Sequence, residues 1–374
     1  MKVAHYMPGY PGCDGTTSFA RGLSRAMNRL YPGSCGIISQ KAKASHPGDL
    51  VHVYPGSWGF PFRLPAQLKN DLQSGALALD GMVLHGTYNP PMVAMARFLR
   101  QIGMPYVFVP HDPYPPGLRH HHRWRKLAFW HLFEKPMIEK AVAVQLLDES
   151  HEKFLRDLGC RVPVFVQPNG CEQESLASLP EDLHEPGTRK VLRIQYLGRM
   201  DRNHKGLDLL IRAFAKVVGR HKVELWLIGN DWHDREYLEA LSIKLGLSES
   251  VFFKGRRPET SIELQGDADL CVLSSRFDGF GLTVVEAMLA RRPVLVSSEA
   301  GVAGHVDKAG GGWVVSPTVE AIATGLEEAL SQKEEWSGIG RRGQDYILNN
   351  LTWEKVAKAT HEDYRRVFLD SDFK

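Results

Sequence analysis

The stretch VLRIQYLGRMDRNHKGLDLLIRAF, residues 191–214, decides the fold. It opens as a short apolar run ending in Gly198-Arg199 and resumes, from Lys205-Gly206, as an amphipathic helix. A strand that passes through a glycine turn into such a helix is the first half of a parallel βα unit. Working outward, the same alternation recurs along the chain. In the first half, apolar runs bounded by Gly, Pro or Asp predict strands at 2–7, 35–39, 50–54, 81–86, 105–110, 141–147 and 163–167. In the second half they fall at 191–198, 223–229, 251–255, 269–275, 293–298 and 312–317.

Between the two series lies EQESLASLPEDLHEPGTRK, 172–190, acidic, proline-containing and without a sustained period, which reads as a linker. A length of 374 residues also exceeds what one hydrophobic core usually supports. Two open, doubly wound α/β domains are therefore expected, 1–173 and 174–352, with their strand ends facing a central crevice. The amphipathic stretch LTWEKVAKATHEDYRRVF, 351–368, has no strand after it, so residues 353–374 are assigned to a terminal helix that crosses back to the first domain.

Composition narrows the function classes. With 43% hydrophobic and 24% charged residues the chain reads as a soluble globular protein, and a net charge of +3 is too small to argue for nucleic acid, so no nucleic-acid partner is expected, although a local basic patch has room. The five cysteines are widely spaced and contain no Cys-x-x-Cys pair, which points to a reducing, cytoplasmic setting without a disulfide framework or zinc site. The opening MKVAHYMPGYPG is broken by Pro8 and Gly9 and reads as a first strand rather than a signal peptide. No run approaches the length needed to span a bilayer. LRHHHRWRKLAFWHLF, 118–133, combines cations with Trp124, Phe129, Trp130 and Phe133. It is consistent either with an ordinary amphipathic helix or with peripheral contact on an anionic inner membrane face.

Three segments carry candidate chemistry. After the first strand, glycines at 9, 12 and 15 precede a helix over 16–27. Their spacing is not that of a dinucleotide fingerprint, and the loop is open to two readings, a tight turn or a cradle for an anionic or hydroxylic ligand. Arg199 and Lys205, at the carboxyl end of a strand, suit a diphosphate. SSRFDGFGLTVVEAM, 274–288, places Gly279, Phe280, Gly281 and Leu282 at a helix start between Asp278 and Glu286. Backbone amides and the helix dipole there suit phosphate, and Glu286 can accept from a vicinal diol such as ribose.

These pieces together resemble the GT4 retaining glycosyltransferases, which have the GT-B architecture of two Rossmann-like domains. The matching segments are Gly15, PHD at 110–112, QPNG at 167–170, LGRMDRNHKG at 197–206, LIGND at 227–231, FFKGR at 252–256 with Arg256, the Asp278–Glu286 block, and RRPVLVSSEAGVAGHV at 291–306. The resemblance implies that Glu286 holds ribose hydroxyls, that Arg199 and Lys205 hold the diphosphate, and that His111 and Asp278 lie by the donor sugar. The chain departs from the family in three places. Asp278 stands where the family has Glu, shorter by roughly 1.5 Å. Asp14-Gly15 replaces Gly-Gly, and Arg292 replaces a glycine and is read as a surface helix end.

The resemblance implies a hexosyltransferase that uses a nucleotide sugar as co-substrate, without a further cofactor, and retains anomeric configuration, in the cytoplasmic setting that the cysteines suggest. No Asp-x-Asp stands at a predicted strand end beside the donor motifs, so no metal is expected. UDP-glucose is the expected donor, with GDP-mannose or another nucleotide sugar as the alternative. The expected acceptor is a saccharide or lipid-linked saccharide in polysaccharide biosynthesis. A reading from another class is a nucleotide-sugar-binding protein without turnover.

Overall fold

The structure, a computed structural model, describes residues 1–10, 12, 15–41, 48–56, 62–112, 114, 123–180 and 183–370. The chain divides into two compact units, Met1–Gly170 with Trp353–Lys374, and Cys171–Thr352.

The first unit is built on strands β1 (Val3–Tyr6), β2 (Cys35–Ser39), β3 (Val51–Val53), β4 (Gly81–His85), β5 (Tyr106–Val109), β6 (Ala143–Leu146) and β7 (Val164–Val166). Their order is β3-β2-β1-β4-β5-β6-β7, and every pairing is parallel. The second unit carries β8 (Leu192–Leu197), β9 (Val223–Ile228), β10 (Val251–Gly255), β11 (Leu270–Leu273), β12 (Val294–Ser297) and β13 (Gly312–Val315). The order there is β10-β9-β8-β11-β12-β13, again parallel throughout. Both are doubly wound sheets. Each reverses direction next to its first strand, between β1 and β4 in one unit and between β8 and β11 in the other.

Every apolar run expected from the sequence forms one of these strands. The reason is local: a central strand of a parallel sheet is covered on both faces, so it must be apolar along its whole length. Strands β1, β4, β5, β11 and β12 are buried at every residue. Helices supply the cover. Leu207–Val217 buries Leu207, Leu210, Ile211, Ala213, Phe214 and Val217 along one stripe.

Two expectations, on Arg292 and on the helix after the first strand, are corrected. The end of the segment read as a linker, 172–190, bonds to the second unit. Gly187 N–H donates to the Asp269 carboxylate at 3.0 Å, and Arg189 pairs with Asp267 at 2.7 Å. Arg292 is no surface helix end. It is fully buried, and its Nη1 donates to the His184 carbonyl at 2.8 Å, so it anchors that same segment. The helix after the first strand spans Gly15–Leu30, so Gly15 is its first residue.

The terminal helix, Trp353–Leu369, packs within the first unit. The Tyr31 and His361 rings stack at 3.8 Å, and Tyr364 Oη donates to Gln145 of β6 at 2.7 Å. No helix among the described residues is long and apolar enough to cross a membrane.

Candidate active site

In the second unit, chemistry gathers where the sheet order reverses. The chain leaves β8 through Gly198-Arg199. Tyr196 Oη donates to the Arg199 carbonyl at 2.7 Å, and the exposed Arg199 guanidinium lies 4.8 Å from the centre of the Trp232 ring. A short turn of helix, Arg202–Lys205, follows, with Asp201 accepting from His204 N–H at its start. It ends on Gly206, whose φ of 64° is left-handed. A side chain there would bring Cβ within 2.3 Å of the Ser274 carbonyl oxygen, so only glycine allows the loop after β8 to touch the end of β11. The Ser274 hydroxyl completes the joint by donating to the carbonyl oxygens of Lys205 at 3.1 Å and Gly206 at 3.3 Å.

This joint delivers Lys205 to Asp278. Nζ and Oδ2 are 2.6 Å apart, with the two side chains 15% and 13% exposed. Asp278 also accepts from the Ser275 hydroxyl and from Phe280 N–H, each at 3.4 Å. Burial pushes the Asp278 carboxyl up, but the charge and hydrogen bond of Lys205 outweigh it and hold the group below its ordinary value. The sequence suggests separate ligand groups for Lys205 and Asp278; in the structure they are partners of one another.

The turn after Asp278 is held by backbone bonds, from Asp278 N–H to the Glu299 carbonyl at 3.1 Å and from Val302 N–H to the Phe280 carbonyl at 2.8 Å. Gly279 and Phe280 are buried within it. Gly281, at φ 100°, opens the helix Leu282–Leu289, which has no side-chain cap and no acid in its first turn. Leu282 is half-buried at its first position. The first N–H groups of a helix have no partner inside it, so this end is electropositive.

One turn further on, the Glu286 carboxylate accepts a hydrogen bond from the Ser261 hydroxyl. Burial pushes the Glu286 pKa up to about 7, against the opposing effect of that bond. Ser261 opens the helix Ser261–Gly266, capped by Thr260 and Glu263. The sequence signals that cap but gives no hint that Ser261 reaches Glu286. Arg256 follows β10 and is exposed.

In the first unit, His111 follows β5 in a left-handed conformation, φ 61°, costly for a residue with a side chain. The turn is closed by Asp112 N–H, which donates to the Pro110 carbonyl at 2.8 Å. His111 Nε2 lies 2.9 Å from Nδ1 of His85, and Phe19 meets the His111 ring edge-on at 5.2 Å. Neither His85 nor Trp232 carries a signal in the sequence that marks it for the site. Residues 118–122 and Asp14 lie outside the described residues. The remainder of the basic stretch forms a helix, Arg123–Phe129, that passes into a π-helical turn, Trp130–Glu134.

Residues 181–345 match the family described as glycosyl transferases group 1, and residues 19–170 match the glycosyl transferase 4-like domain. An uncharacterized glycosyltransferase of Methanocaldococcus jannaschii, MJ1607, is 33% identical over 182 residues, covering 46% of this chain and 44% of that one. A lipopolysaccharide 1,2-N-acetylglucosaminetransferase of Salmonella typhimurium is 26% identical over 223 residues, covering 55% of this chain and 57% of that one. The chain thus spans about half the length of the curated relatives it matches. Among solved structures, Anabaena HepE in complex with UDP and glucose superposes with a TM-score of 0.73 at 19% identity, covering 97% of this chain and 99% of that one, a likeness of fold. With the two family matches lying in order on the two doubly wound units, the chain belongs to the group 1 glycosyltransferases, with the GT-B fold.

Proposed function

We propose that the chain transfers a hexose from a nucleotide sugar to a hydroxyl of a saccharide or lipid-linked saccharide, with retention of configuration, on the cytoplasmic side of the membrane. The observation that carries this reading is the Lys205–Asp278 pair beside the uncapped start of the Leu282–Leu289 helix, with Glu286 one turn along. A diphosphate at that helix end would meet the backbone amides, Lys205 and Arg199. Charge develops on it as the sugar leaves, and preorganised donors aimed at developing charge are a large source of rate enhancement. Drawing Lys205 toward the diphosphate would release an Asp278 oxygen for a sugar hydroxyl, so recognition of the two halves of the donor would be coupled. Glu286 would accept from the ribose diol, and His111 would contact the donor sugar. Gly15, Arg256, Gly279, Phe280, Gly281 and Leu282 would line the donor path. No metal or further cofactor enters this reading.

UDP-glucose is the preferred donor, supported by the fold likeness to a protein solved with UDP and glucose; GDP-mannose is the alternative. The test is a hydrolysis screen across UDP-, GDP- and ADP-sugars with the natural chain and with Lys205→Ala and Glu286→Ala. Each substitution should lower turnover at least about tenfold, equivalent to roughly 1.4 kcal/mol of transition-state stabilisation. Full activity in both variants refutes the assignment. Donor binding with neither hydrolysis nor transfer would mark the chain as a binding protein.

Peripheral contact with an anionic lipid surface fits the helix Arg123–Phe129 and the turn after it. Trp124 is 78%, Leu127 43% and Leu132 66% exposed, and Arg125 is exposed beside them. Sedimentation with vesicles of anionic phospholipid at low salt checks this, and recovery of all protein in the supernatant refutes it.

A further inference from the structure

Three imidazoles form a line across the reversal point of the first sheet. His5 lies on β1, His85 ends β4 and His111 follows β5. His5 Nδ1 is 2.7 Å from His85 Nε2, and His85 Nδ1 is 2.9 Å from His111 Nε2. His5 and His85 are buried, at 0% and 3% exposure. The far end of the line is closed by the returning terminal helix, whose Tyr364 ring lies 6.5 Å from that of His5. Among the described residues, Nε2 of His5 has no hydrogen-bond partner.

A neutral imidazole carries one N–H and one bare nitrogen. Each of the two contacts holds one hydrogen, so His85 must donate at one nitrogen and accept at the other. Only two neutral arrangements satisfy both contacts: every ring protonated at Nδ1, or every ring protonated at Nε2. Charge on the line is disfavoured, since burial pushes His5 down to about 3 and His85 well below its ordinary value, with neighbouring imidazoles adding to the effect.

The two arrangements differ at the buried end. With all rings protonated at Nε2, His5 would bury an N–H with no acceptor. With all rings protonated at Nδ1 it buries only a lone pair. Orphaned buried N–H groups are the rarer and costlier defect.

We propose that His5, His85 and His111 form one neutral hydrogen-bonded line that fixes His111 as its Nδ1–H tautomer, with His85 as the positioning residue. His111 is then a hydrogen-bond donor at Nδ1, suited to an oxygen of the ligand or of the loop, and is unable to serve there as a base. The functional part rests on the reading of His111 as a donor-sugar contact; the tautomer itself does not. His111 makes this contact from a backbone held at a left-handed φ of 61°.

The experiment is long-range proton–nitrogen correlation spectroscopy of the full chain labelled with nitrogen-15 histidine, near neutral pH. The expected result is a protonated Nδ1 and a bare Nε2 on all three rings. A protonated Nε2 on His85, or an imidazolium at any of the three positions, overturns the proposal without any variant being needed. His85→Phe, which removes both contacts, should leave His111 as a tautomer mixture and lower kcat for donor hydrolysis about fivefold or more, with UDP affinity within about twofold. His85→Gln, which can accept from His5 and donate to His111, should restore both readouts in large part. Equal losses in the Phe and Gln variants overturn the positioning role. Should His111→Ala retain full turnover while the spectrum shows the expected line, the sugar-contact reading fails and the tautomer assignment stands.

Discussion

Replacing Asp278 by Asn separates the two partners proposed for Lys205, the Asp278 carboxylate and the diphosphate of the donor. The Lys205 ammonium is 2.6 Å from an Asp278 oxygen, and both side chains are more than four-fifths buried, so solvent screens them little. At an effective dielectric constant near 20, unit charges about 4 Å apart attract by about 4 kcal/mol. Much of this is offset by the cost of desolvating both groups, and an Asn carbonyl would keep a hydrogen bond to Nζ. About 1–2 kcal/mol is left that Asp278 now holds against an arriving anion, and its repulsion of the diphosphate adds to the same sign. The variant should therefore bind a free nucleoside diphosphate about five- to thirtyfold more tightly, at about 1.4 kcal/mol per tenfold. Turnover of the nucleotide sugar should fall at least about tenfold, because the charged acceptor for the sugar is lost. Calorimetric titration with UDP and with GDP reads the first effect and steady-state hydrolysis the second. Unchanged or weaker binding of both nucleotides in Asp278→Asn would show that Lys205 does not meet the diphosphate.

Glu286 predicts a pH signature. Its carboxyl has an ordinary value of 4.5 and stands at about 7 in the fold, so the folded chain favours the protonated form. Its contribution to stability is full below the unfolded value and is lost as pH rises through the folded one. Glu286→Gln stays neutral, so its stability relative to the natural chain should rise by on the order of 2–3 kcal/mol between about pH 4.5 and 7. Melting curves that run parallel over that range refute it. Gly206→Ala should destabilise by about 1–2 kcal/mol for the left-handed backbone and about 1–3 more for the overlap with Ser274. Gly246 serves as control, since it is also left-handed, at φ 72°, but a Cβ there would meet nothing within 4 Å. Gly246→Ala should show the first cost alone, and equal melting temperatures for the two variants would refute the close approach.

The placement of the strands was legible because a buried parallel strand leaves a purely local mark, an apolar run between turn residues. The reversal points then follow, since a doubly wound sheet places the loops after its first and fourth strands side by side. Lys205-Gly206 and the Asp278 turn could thus be assigned to one end of one sheet from the order of the apolar runs. Their partners could not. The Ser261–Glu286 bond joins residues 25 apart, and Lys205–Asp278 joins residues 73 apart. Neither pair has a spacing that any single element imposes. Arg292 shows the limit most plainly: an arginine after a helix reads as surface, yet here the 172–190 segment folds back and accepts from it, so the residue is enclosed.

By itself, then, the sequence determined which segments are strands and helices and which residue types stand at strand ends, because hydrophobic period and turn chemistry act over a few residues. The tertiary structure alone decided which of those residues pair, the upward shift of the Glu286 carboxyl and the alignment of three histidines from β1, β4 and the turn after β5. Those depend on strand order and burial, which bring distant residues within hydrogen-bond reach and remove the water that would otherwise set their charge.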